Sequence, residues 1–599
     1  MSGSFTDFLF RAAREHGDRI FLERRNPKGG DPIRFPQLLD DCDVVAAGLL
    51  EQGVSRGTHV GLISENCYEW LLCDLACGSI GAVDVPRGTD TQIEELLFIL
   101  GHSGASFLFV ADDRSAEALI ARRAELPNLQ TVCVMADETE VEGALDLERL
   151  RAAGRDRLAR DPQCVQQARD QTSHDDVLTV IYTSGTTANP KGVMLTHSNL
   201  RENVGMVEDT LHFNHTDSAL SILPSWHSYE RIFDYVMLYA GGRLIYSDRR
   251  RIKDDLAEFT PTIFVAVPRI WEMLYDGIVA KARKQTGLAG KILRSALDVS
   301  RRVGSGQASS IDQLKYKLLS RSVLPKIRRL ATGGEMTTAV SGGGSLPQHV
   351  DETLLGLGLP LLNGYGLTET SPVAAVRTPQ DNRPGTIGRP LPRTEIQIRC
   401  PERQPLPSGE VGSIWIRGPQ VMRGYFSNEE ATNRVLTDGW FDSGDLGMIE
   451  PDGHVRITGR AKDTIVLAGG ENVEPERLET TLKTSHLIDQ AIVVGQDQKN
   501  LGAILIPSAE CLEMSVPEDR WNTQDGFLTS DEVQTLFRKE IDRLISTRNG
   551  FRPLERISKF RVLAEPLSIE NGMLTQTLKV KRHAFYERFG EDVERMFVS

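Results

Sequence analysis

The sequence predicts an α/β protein with a large N-terminal domain of parallel-sheet layers plus a β portion, joined by a hinge to a small C-terminal α+β domain. The chain has 599 residues, too many for one ordinary core. Strand-like and helix-like segments alternate through most of it, which is typical of a parallel sheet covered by helices. Short strands separated by Gly, Pro and Asp-Gly turns fill residues 385–457, and the pattern changes again after residue 459.

The first part of the chain shows helical and strand patterns in turn. Residues 5–16 and 35–52 have helical periodicity, and Gly53 stops the second helix. HVGLISEN predicts a buried strand and a turn, and residues 69–81 an apolar helix. Further strands are expected within three segments, at 82–86, 99–112 and 129–135. Residues 137–176 are charged and without clear pattern, and we expect them to be irregular and to lie on the surface.

The middle of the chain repeats a unit of strand, proline and helix. A strand ends at Pro224, and a helix with an apolar side follows to residue 242. TIFVAVPRIWEML, residues 262–274, has the same order. Residues 281–330 are strongly helical and basic. This stretch is either a solvated helical excursion or a basic amphipathic surface that rests on anionic membrane lipids.

Composition excludes several classes of protein. Hydrophobic residues make up 40% and charged residues 25%, as in soluble globular proteins. A net charge of −14 argues against non-specific nucleic-acid binding, which needs clustered positive charge. The longest apolar segment, 70–85, is too short and too interrupted to span a bilayer, and the N-terminal stretch lacks the regions of a signal peptide. The eight cysteines show no C-x-x-C pair and no metal-site spacing. We expect Cys73 and Cys77 to share a helix face as buried free thiols, and we expect a cytoplasmic protein.

The most informative stretch is VIYTSGTTANPKGVMLTH, residues 180–197. Its glycines and small hydroxyl residues allow a backbone to approach a polyphosphate closely, and Lys191 supplies a positive charge. It is not a Walker A loop, because Pro190 and Gly192 stand where that motif needs Gly and Ser or Thr. A polar hairpin between two strands is the alternative interpretation.

The string YTSGTTANPKG resembles the phosphate-binding signature of the AMP-forming adenylating superfamily, which includes acyl-CoA synthetases, aryl-CoA ligases, luciferases and peptide-synthetase adenylation domains. The resemblance implies an adenylation domain over residues 1–459 and a mobile domain over 460–599. It also implies which residues hold the β- and γ-phosphates of ATP: Thr183, Ser184, Gly185, Thr186, Thr187 and Lys191.

Carboxylate activation by ATP also needs a metal ion. Mg²⁺ prefers hard oxygen ligands, few of them from protein. In the superfamily a Thr and a Glu hold the metal, and Thr183 and Glu369 match them. Taken alone, an acidic residue in a GLTET turn is more often a cap or a surface charge. The resemblance therefore makes Glu369 and Lys191 candidate catalytic residues.

Two glycine motifs and an aspartate provide candidates for binding adenosine. VSGGGSLPQHV and LLNGYGLTETSPV each read as a strand followed by a turn. The resemblance assigns adenine contacts to Gly342, Gly343, Gly344 and Tyr365, and it makes Gly366 and Thr368 further ATP-binding candidates. One carboxylate that accepts two hydrogen bonds suits a ribose diol. Asp445 in FDSGDLG matches the ribose aspartate, and Arg460 matches the arginine that assists it, although a lone Asp in such a turn is usually structural.

The C-terminal domain carries the third candidate catalytic residue. Lys579 in NGMLTQTLKVKR matches the superfamily lysine that bridges the carboxylate and the α-phosphate, with Lys581 as the alternative if the alignment shifts by two. Gln576 replaces the usual proline of this loop. The resemblance implies that the domain rotates after the adenylate forms, about a hinge at Lys462. The loop 466–479 would then line a thiol tunnel with Gly469, Gly470 and Glu471.

Three segments indicate the branch of the superfamily. VPRIWE, followed by the long basic helical stretch, resembles long-chain acyl-CoA synthetases. LPSWHSYERIFDY and DVPRGTDTQIEELLFIL resemble, more narrowly, the acyl–acyl-carrier-protein synthetases of cyanobacteria and plant plastids. The expected substrates are a medium- to long-chain fatty acid, ATP and CoA or acyl carrier protein. We expect Trp226 and His227 to lie near the acyl pocket, and we read Asp234 as a helix residue.

Several alternatives remain open at this point. His212 and Asp217 have the HxxxxD spacing of glycerolipid acyltransferases, a pattern that is common by chance. A non-catalytic descendant of the fold would be expected to lose Glu369, Asp445 or Lys579, and all three are present. A basic face suits an acidic carrier protein and the phosphates of CoA equally, so it does not decide the acceptor; its residues are Lys559, Arg561, Lys581 and Arg582. Another carboxylate substrate, release of the adenylate and any oligomeric state are also left open.

Overall fold

The computed structural model describes residues 3–23, 32–183, 189–569, 571–575 and 580–598. Its first part confirms the predicted alternation of strands and helices. The elements up to residue 171 are α1 Phe5–Glu15, β1 Ile20–Glu23, β2 Ile33–Arg34, α2 Phe35–Glu51, β3 His59–Ile63, α3 Tyr68–Ser79, β4 Val83–Arg87, α4 Ile93–Ser103, β5 Phe107–Val110, α5 Asp113–Ala121, β6 Thr131–Val134, β7 Ala144–Asp146, α6 Leu147–Arg160 and α7 Cys164–Gln171.

The prediction that residues 137–176 are irregular was wrong, because they contain β7, α6 and α7. Asp146 caps α6 by accepting a hydrogen bond from the Arg149 amide at 2.7 Å. The helix packs on α2, and it buries Leu147, Leu150 and Gly154. A Cβ on Gly154 would lie 1.9 Å from the Val44 carbonyl oxygen, so only glycine permits this close approach. The buried face of α6 is narrow. Because many charged residues surround it, the helical periodicity is not apparent in the sequence.

The middle of the chain contains the strand–proline–helix units and the predicted helical stretch. Its elements are β8 Val177–Thr183, β9 Lys191–Thr196, α8 His197–Leu211, β10 Ser218–Ser221, α9 Ser228–Ala240, β11 Arg243–Tyr246, α10 Ile252–Phe259, β12 Ile263–Ala266, α11 Pro268–Lys284, α12 Gly287–Gly304, α13 Ser310–Ser322 and α14 Leu324–Thr332. Asp234 lies within α9, as expected.

The next part is mainly antiparallel, as the turn pattern predicts, and a compact α+β part follows. The elements are β13 Thr338–Ser341, α15 Gln348–Gly356, β14 Leu361–Gly366, β15 Val373–Val376, β16 Arg389–Pro390, β17 Glu395–Arg399, β18 Gly412–Arg417, β19 Gly424–Tyr425, α16 Glu429–Val435, β20 Leu436–Thr437, β21 Trp440–Ile449, β22 Val455–Arg460, β23 Ile465–Val466, β24 Asn472–Val473, α17 Pro475–Leu482, β25 Ile488–Val494, β26 Leu501–Pro507, α18 Ala509–Glu513, β27 Thr523–Gln524, β28 Phe527–Leu528, α19 Asp531–Leu544, β29 Ile557–Leu563 and α20 Arg582–Val598.

Two large sheets form the core of the N-terminal part. The first has the order β16-β15-β14-β13-β12-β10-β11-β1-β2, and β1 to β14 along this path are parallel. The second has the order β19-β9-β8-β4-β3-β5-β6-β7, with β9 and β19 antiparallel to their neighbours. Helix α9 connects β10 to β11 of the first sheet, and its Arg231 reaches Asp84 on β4 of the second. The two sheets are thus tied together through α9.

Separate sheets build the β portion and the C-terminal part. Strands β17, β18, β21, β20 and β22 form an antiparallel sheet, and β25-β26-β29-β28-β27 form the sheet of the C-terminal part. Ion pairs join this C-terminal sheet and α17 to helix α11. Arg269 donates to Asp489, and Lys483 Nζ lies 3.3 Å from Glu272 Oε1. The predicted fold class is therefore confirmed, with a large N-terminal and a smaller C-terminal part.

Candidate functional site

A hairpin of the second sheet positions the first pair of predicted residues. Thr183 is the last residue of β8 and Lys191 the first of β9, and they face each other as Cα partners. A Cβ on the next residue, Gly192, would lie 2.6 Å from the Val180 side chain, so the hairpin requires a glycine beside Lys191. The predicted phosphate-binding residues Ser184, Gly185, Thr186 and Thr187 lie outside the described residues.

Tyr425, which was not predicted from the sequence, joins Lys191 to Glu369. Strand β19 pairs with β9, which places Tyr425 next to the start of β9. Its hydroxyl donates to Glu369 Oε1 at 2.9 Å, and Lys191 Nζ lies 5.1 Å from the centre of its ring. The predicted phosphate ligand and the predicted metal ligand therefore meet on one aromatic side chain.

The charged groups of Glu369 and Lys191 are partly shielded from water. Burial raises the pKa of Glu369, and the hydrogen bond from Tyr425 opposes that shift. Burial lowers the pKa of Lys191, and the nearby positive charges of Lys462 and Arg434 lower it further. Positive charges that repel one another in a half-buried place suit a polyanion, because an anion relieves the repulsion.

Asp445 is held by two donors at the junction of the β portion and β14. The Tyr365 hydroxyl donates to Asp445 Oδ2 at 2.6 Å, and Arg460 Nε lies 3.1 Å from Oδ1. Asp445 and Arg460 are also Cα partners across β21 and β22. The carboxylate is buried, whereas half of the Arg460 side chain is exposed. Three of the residues predicted to bind adenosine are thus in mutual contact.

The glycine turn after β13 lies against α9. A Cβ on Gly342 would lie 2.7 Å from the Tyr229 ring, and Gly343 has φ +75°, a conformation that favours glycine. Gly344 is exposed, so the turn presents backbone to solvent. Tyr229 donates to the Val340 carbonyl at 3.4 Å, and it is a second contact that the sequence analysis did not identify.

The residues at the end of β14 and just after it are also tightly packed. A Cβ on Gly366 would lie 1.7 Å from the Pro372 carbonyl oxygen, so the backbone packs where a side chain would not fit. Thr368 is buried, and its hydroxyl lies 3.3 Å from that of Ser228 at the start of α9. The amide of Met422 donates to the Glu369 carbonyl at 2.8 Å. Glu369 is therefore positioned through both its backbone and its carboxylate.

Trp226 and His227, the residues predicted near the acyl pocket, lie at the start of α9. Trp226 is buried, and the guanidinium of Arg87 lies 5.5 Å from the centre of its ring. His227 caps α9, because its Nδ1 accepts a hydrogen bond from the Tyr229 amide at 3.2 Å. Their contact with an acyl chain stays a prediction.

The predicted hinge and thiol-tunnel residues lie on the C-terminal side of the site. Lys462 is exposed, and the amide of its neighbour Ala461 donates to the Gly444 carbonyl at 3.0 Å. Gly469, Gly470 and Glu471 form the exposed tip between β23 and β24. The preceding amide, that of Ala468, donates to Gln498 within the C-terminal part at 2.9 Å. Lys579 lies outside the described residues.

Two other groups of residues noted in the sequence have partners within the fold. Arg582 donates to Glu479 at 2.6 Å and Arg561 to Asp592 at 2.9 Å, so these two residues of the predicted basic face are paired with carboxylates. Asp217 accepts a hydrogen bond from the Thr262 hydroxyl at 2.9 Å and holds the turn before β10. That role is structural and favours the chance interpretation of the HxxxxD spacing. Cys73 and Cys77 are buried free thiols, as predicted, and the other six cysteines are also free.

Two features are absent from the residues that the structure describes. Across those residues no helix combines the length and apolarity needed to cross a bilayer. The same residues contain no group of three or more His, Cys, Asp or Glu side chains that could hold a metal ion.

Two family models match this chain. The AMP-binding enzyme family matches residues 9–426, and the AMP-binding enzyme C-terminal domain family matches residues 462–599. A chloroplastic long-chain-fatty-acid–[acyl-carrier-protein] ligase of Arabidopsis thaliana is 32% identical over 99% of this chain and 86% of its own. A long-chain-fatty-acid–CoA ligase of Mycobacterium tuberculosis is 32% identical over 98% of this chain and 96% of its own.

Solved structures confirm the fold. An anthranilate CoA ligase in complex with anthranoyl-AMP has a TM-score of 0.74 at 21% identity, covering 99% of this chain and 98% of its own. An o-succinylbenzoate CoA synthetase of Bacillus subtilis has a TM-score of 0.68 at 20% identity, covering 98% of each chain.

Proposed function

The chain belongs to the AMP-binding enzyme family, and we propose that it joins a medium- to long-chain fatty acid to the thiol of CoA through an acyl-adenylate. Relatives named as long-chain-fatty-acid–CoA ligases align with nearly the whole chain at about a third identity, which supports this substrate class. The observation that carries the proposal is the contact of Tyr425 with both Glu369 and Lys191. It brings a candidate metal carboxylate and a candidate phosphate ligand to one point.

ATP would bind across three elements of the N-terminal part. Lys191 and Thr183, at one end of the β8–β9 hairpin, would contact the phosphates. Asp445, oriented by Tyr365 and Arg460, would accept hydrogen bonds from the ribose. The glycine turn 342–344 would approach the adenine closely, since its backbone carries no side chain.

Mg²⁺ fits the donors that are present. Glu369 offers a half-buried carboxylate, and Thr183 offers a hydroxyl at the end of β8. One carboxylate with a hydroxyl suits Mg²⁺, which takes most of its ligands from water and phosphate. When bound, the ion would offset negative charge on the phosphate oxygens. The hydrogen bond from Tyr425 would keep the Glu369 carboxylate turned toward the phosphates.

The reaction takes place in two steps. A fatty-acid carboxylate oxygen attacks the α-phosphorus, a P–O bond forms, and pyrophosphate leaves. The CoA sulfur then attacks the acyl carbon, loses its proton to water or buffer, and AMP leaves. Lys579 would bridge the carboxylate and α-phosphate in the first step, and the 469–471 tip would replace it in the second. A boundary at 459/460 with a hinge at Lys462 is supported by the change from the β22 sheet to the C-terminal sheet.

Acyl carrier protein is the second candidate acceptor. The chloroplastic acyl-carrier-protein ligase and the mycobacterial CoA ligase are equally identical to this chain, so relatedness does not separate the two acceptors. Part of the basic face that would receive either acceptor is neutralised, which leaves Lys581 exposed within it.

Product analysis tests the proposal. Purified enzyme is incubated with ATP, Mg²⁺ and fatty acids from C8 to C18, with CoA and holo-acyl carrier protein as parallel acceptors. We expect AMP release that requires both a fatty acid and CoA. AMP release only with the carrier protein would select the second acceptor. Absence of AMP with every acid and either acceptor would overturn the proposed chemistry.

A further inference from the structure

Helix α13 exposes a row of aliphatic side chains that we call the apolar stripe: Ile311, Leu314 and Leu318. Their exposed fractions are 67%, 64% and 66%. The spacing of three and four residues places them on one face of the helix. Aliphatic side chains exposed to this degree in a row mark a surface that contacts an apolar partner.

The stripe is held firmly in place by the opposite side of α13. Tyr316 and Leu319 pack against the core beneath the helix. Asp312 is buried, caps the helix with Ser309, and binds Arg302 of α12 at 2.8 and 3.1 Å. The outward direction of the stripe is therefore fixed by packing and by a charged hydrogen bond.

Neighbouring helices of the same segment expose more aliphatic surface. Leu288 and Ile292 are 74% and 40% exposed on α12, and Leu330 is 63% exposed on α14. Helix α13 packs against both α12 and α14. The exposed apolar side chains thus belong to one three-helix unit.

Positive charge surrounds these side chains. Residues 281–330 contain thirteen Lys and Arg but two Asp, in a chain whose net charge is −14. Lys315, Lys317 and Arg321 are exposed beside the stripe. Within the described residues, none of these three has an ion-pair partner. Residues 281–330 thus form a positively charged segment, which we call the cationic island, on a protein of negative net charge.

We propose that the apolar stripe docks on an anionic phospholipid bilayer. Aliphatic side chains flanked by lysines insert at the boundary between headgroups and acyl chains, while the lysines bind anionic headgroups. A second copy of this chain is disfavoured, because a symmetric contact would place two cationic islands face to face. The proposal does not depend on the catalytic assignment, and docking would bring the enzyme to the membranes in which long-chain acids dissolve.

Vesicle co-sedimentation of the full chain tests the proposal. Vesicles of phosphatidylglycerol and of phosphatidylcholine are compared at low and high salt. We expect binding to phosphatidylglycerol that weakens as salt rises, and little binding to phosphatidylcholine. Leu314→Glu with Leu318→Glu, and separately Lys315→Glu with Lys317→Glu, should each weaken binding at least about tenfold.

Matched controls change equally exposed residues elsewhere. Met514→Glu is the control for the leucines, since Met514 is 70% exposed in the C-terminal part, and Lys499→Glu is the control for the lysines. Thermal midpoints of all variants show whether they are folded. No wild-type binding, or equal binding by stripe and control variants, would overturn the proposal. So would stripe-dependent dimerisation, or stripe-dependent binding of acidic carrier protein, in a protein that does not bind vesicles.

Discussion

Two groups of buried charges in the N-terminal part are built in opposite ways. In the interior cluster, Arg231 donates to Asp84 at 2.7 Å, to Thr179 at 2.9 Å and to the Tyr235 hydroxyl at 2.7 Å, and it also binds Asp74. In the candidate site, Lys191 lies over the Tyr425 ring, and Glu369 accepts from the hydroxyl of the same residue. The interior cluster is closed by protein donors, whereas the site charges are arranged to receive an ionic ligand.

The largest effect should come from removing the cation of the interior cluster. Arg231→Met would leave Asp74 and Asp84 buried without their cation, and removal of one partner of a buried ion pair costs about 3–5 kcal/mol. Urea unfolding should show a lower midpoint with an unchanged slope. Arg595→Met is the control, because its exposed pair with Glu591 contributes about 0–1 kcal/mol. A wild-type midpoint for Arg231→Met would show that the cluster does not hold the two sheets together.

The next largest effect should come from removing Lys579, whose charge the C-terminal part is predicted to bring to the candidate site. Lys579→Ala should slow adenylation about 10²–10³-fold, the scale for loss of one preorganised donor that stabilises developing charge. Thioester formation from pre-formed acyl-adenylate should be largely spared. Pyrophosphate release and single-turnover transfer measure the two steps separately.

Lys581→Ala is the matched control for Lys579→Ala, since it removes an exposed lysine two residues away. A greater loss in Lys581→Ala would move the assignment to that residue. Equal loss of both half-reactions in Lys579→Ala would show that the lysine is not specific to adenylation.

Local patterns predicted most strands and helices, because each is visible within a few positions, whereas the candidate site residues came from the resemblance of short motifs to the superfamily. Contacts between distant segments were not predictable. Tyr425 reaches Glu369 across 56 positions, and Arg231 reaches Asp84 across 147. No motif marks Tyr425 in the sequence, and the motif around Arg231 does not show which segment the arginine contacts. Helices α6 and α7 were missed for a different reason, since their apolar stripes are short and charged residues surround them.

Asp234 on α9 differs from both the interior cluster and the candidate site. It is a buried carboxylate that accepts hydrogen bonds from hydroxyl groups instead of pairing with a cation. Tyr246 donates to it at 3.0 Å and Ser225 at 3.5 Å. Burial raises the pKa of Asp234 to about 8, and it raises the pKa of Glu230, one turn away, well above its usual value. The unfolded value is about 3.9, so the stabilising contribution of Asp234 is complete below that pH and is lost as the pH rises through 8.

Asp234→Asn should therefore gain stability relative to wild type as the pH rises between about 4 and 8, by at most about 1.4 kcal/mol per pH unit. Urea unfolding at several pH values measures this difference. Burial lowers the pKa of His197 to about 4, which makes stability fall as the pH drops from 6.5 toward 4 in both proteins. That contribution cancels in the difference. A difference that does not vary with pH would show that Asp234 is ionised throughout.

The smallest effect should come from the hydroxyl of Tyr425. Tyr425→Phe removes the hydrogen bond to Glu369 but keeps the ring under Lys191, so it should raise the Mg²⁺ concentration for half-maximal adenylation about tenfold, with little change in KM for ATP. Tyr425→Leu also removes the ring and should raise KM for ATP as well. Glu369→Ala removes the carboxylate itself, so it should give the largest increase in the Mg²⁺ concentration for half-maximal adenylation. Tyr586→Phe, on the C-terminal helix, is the control. If Tyr425→Phe and Tyr425→Leu changed KM for ATP equally and left the Mg²⁺ titration unchanged, Tyr425 would not orient Glu369 toward the metal.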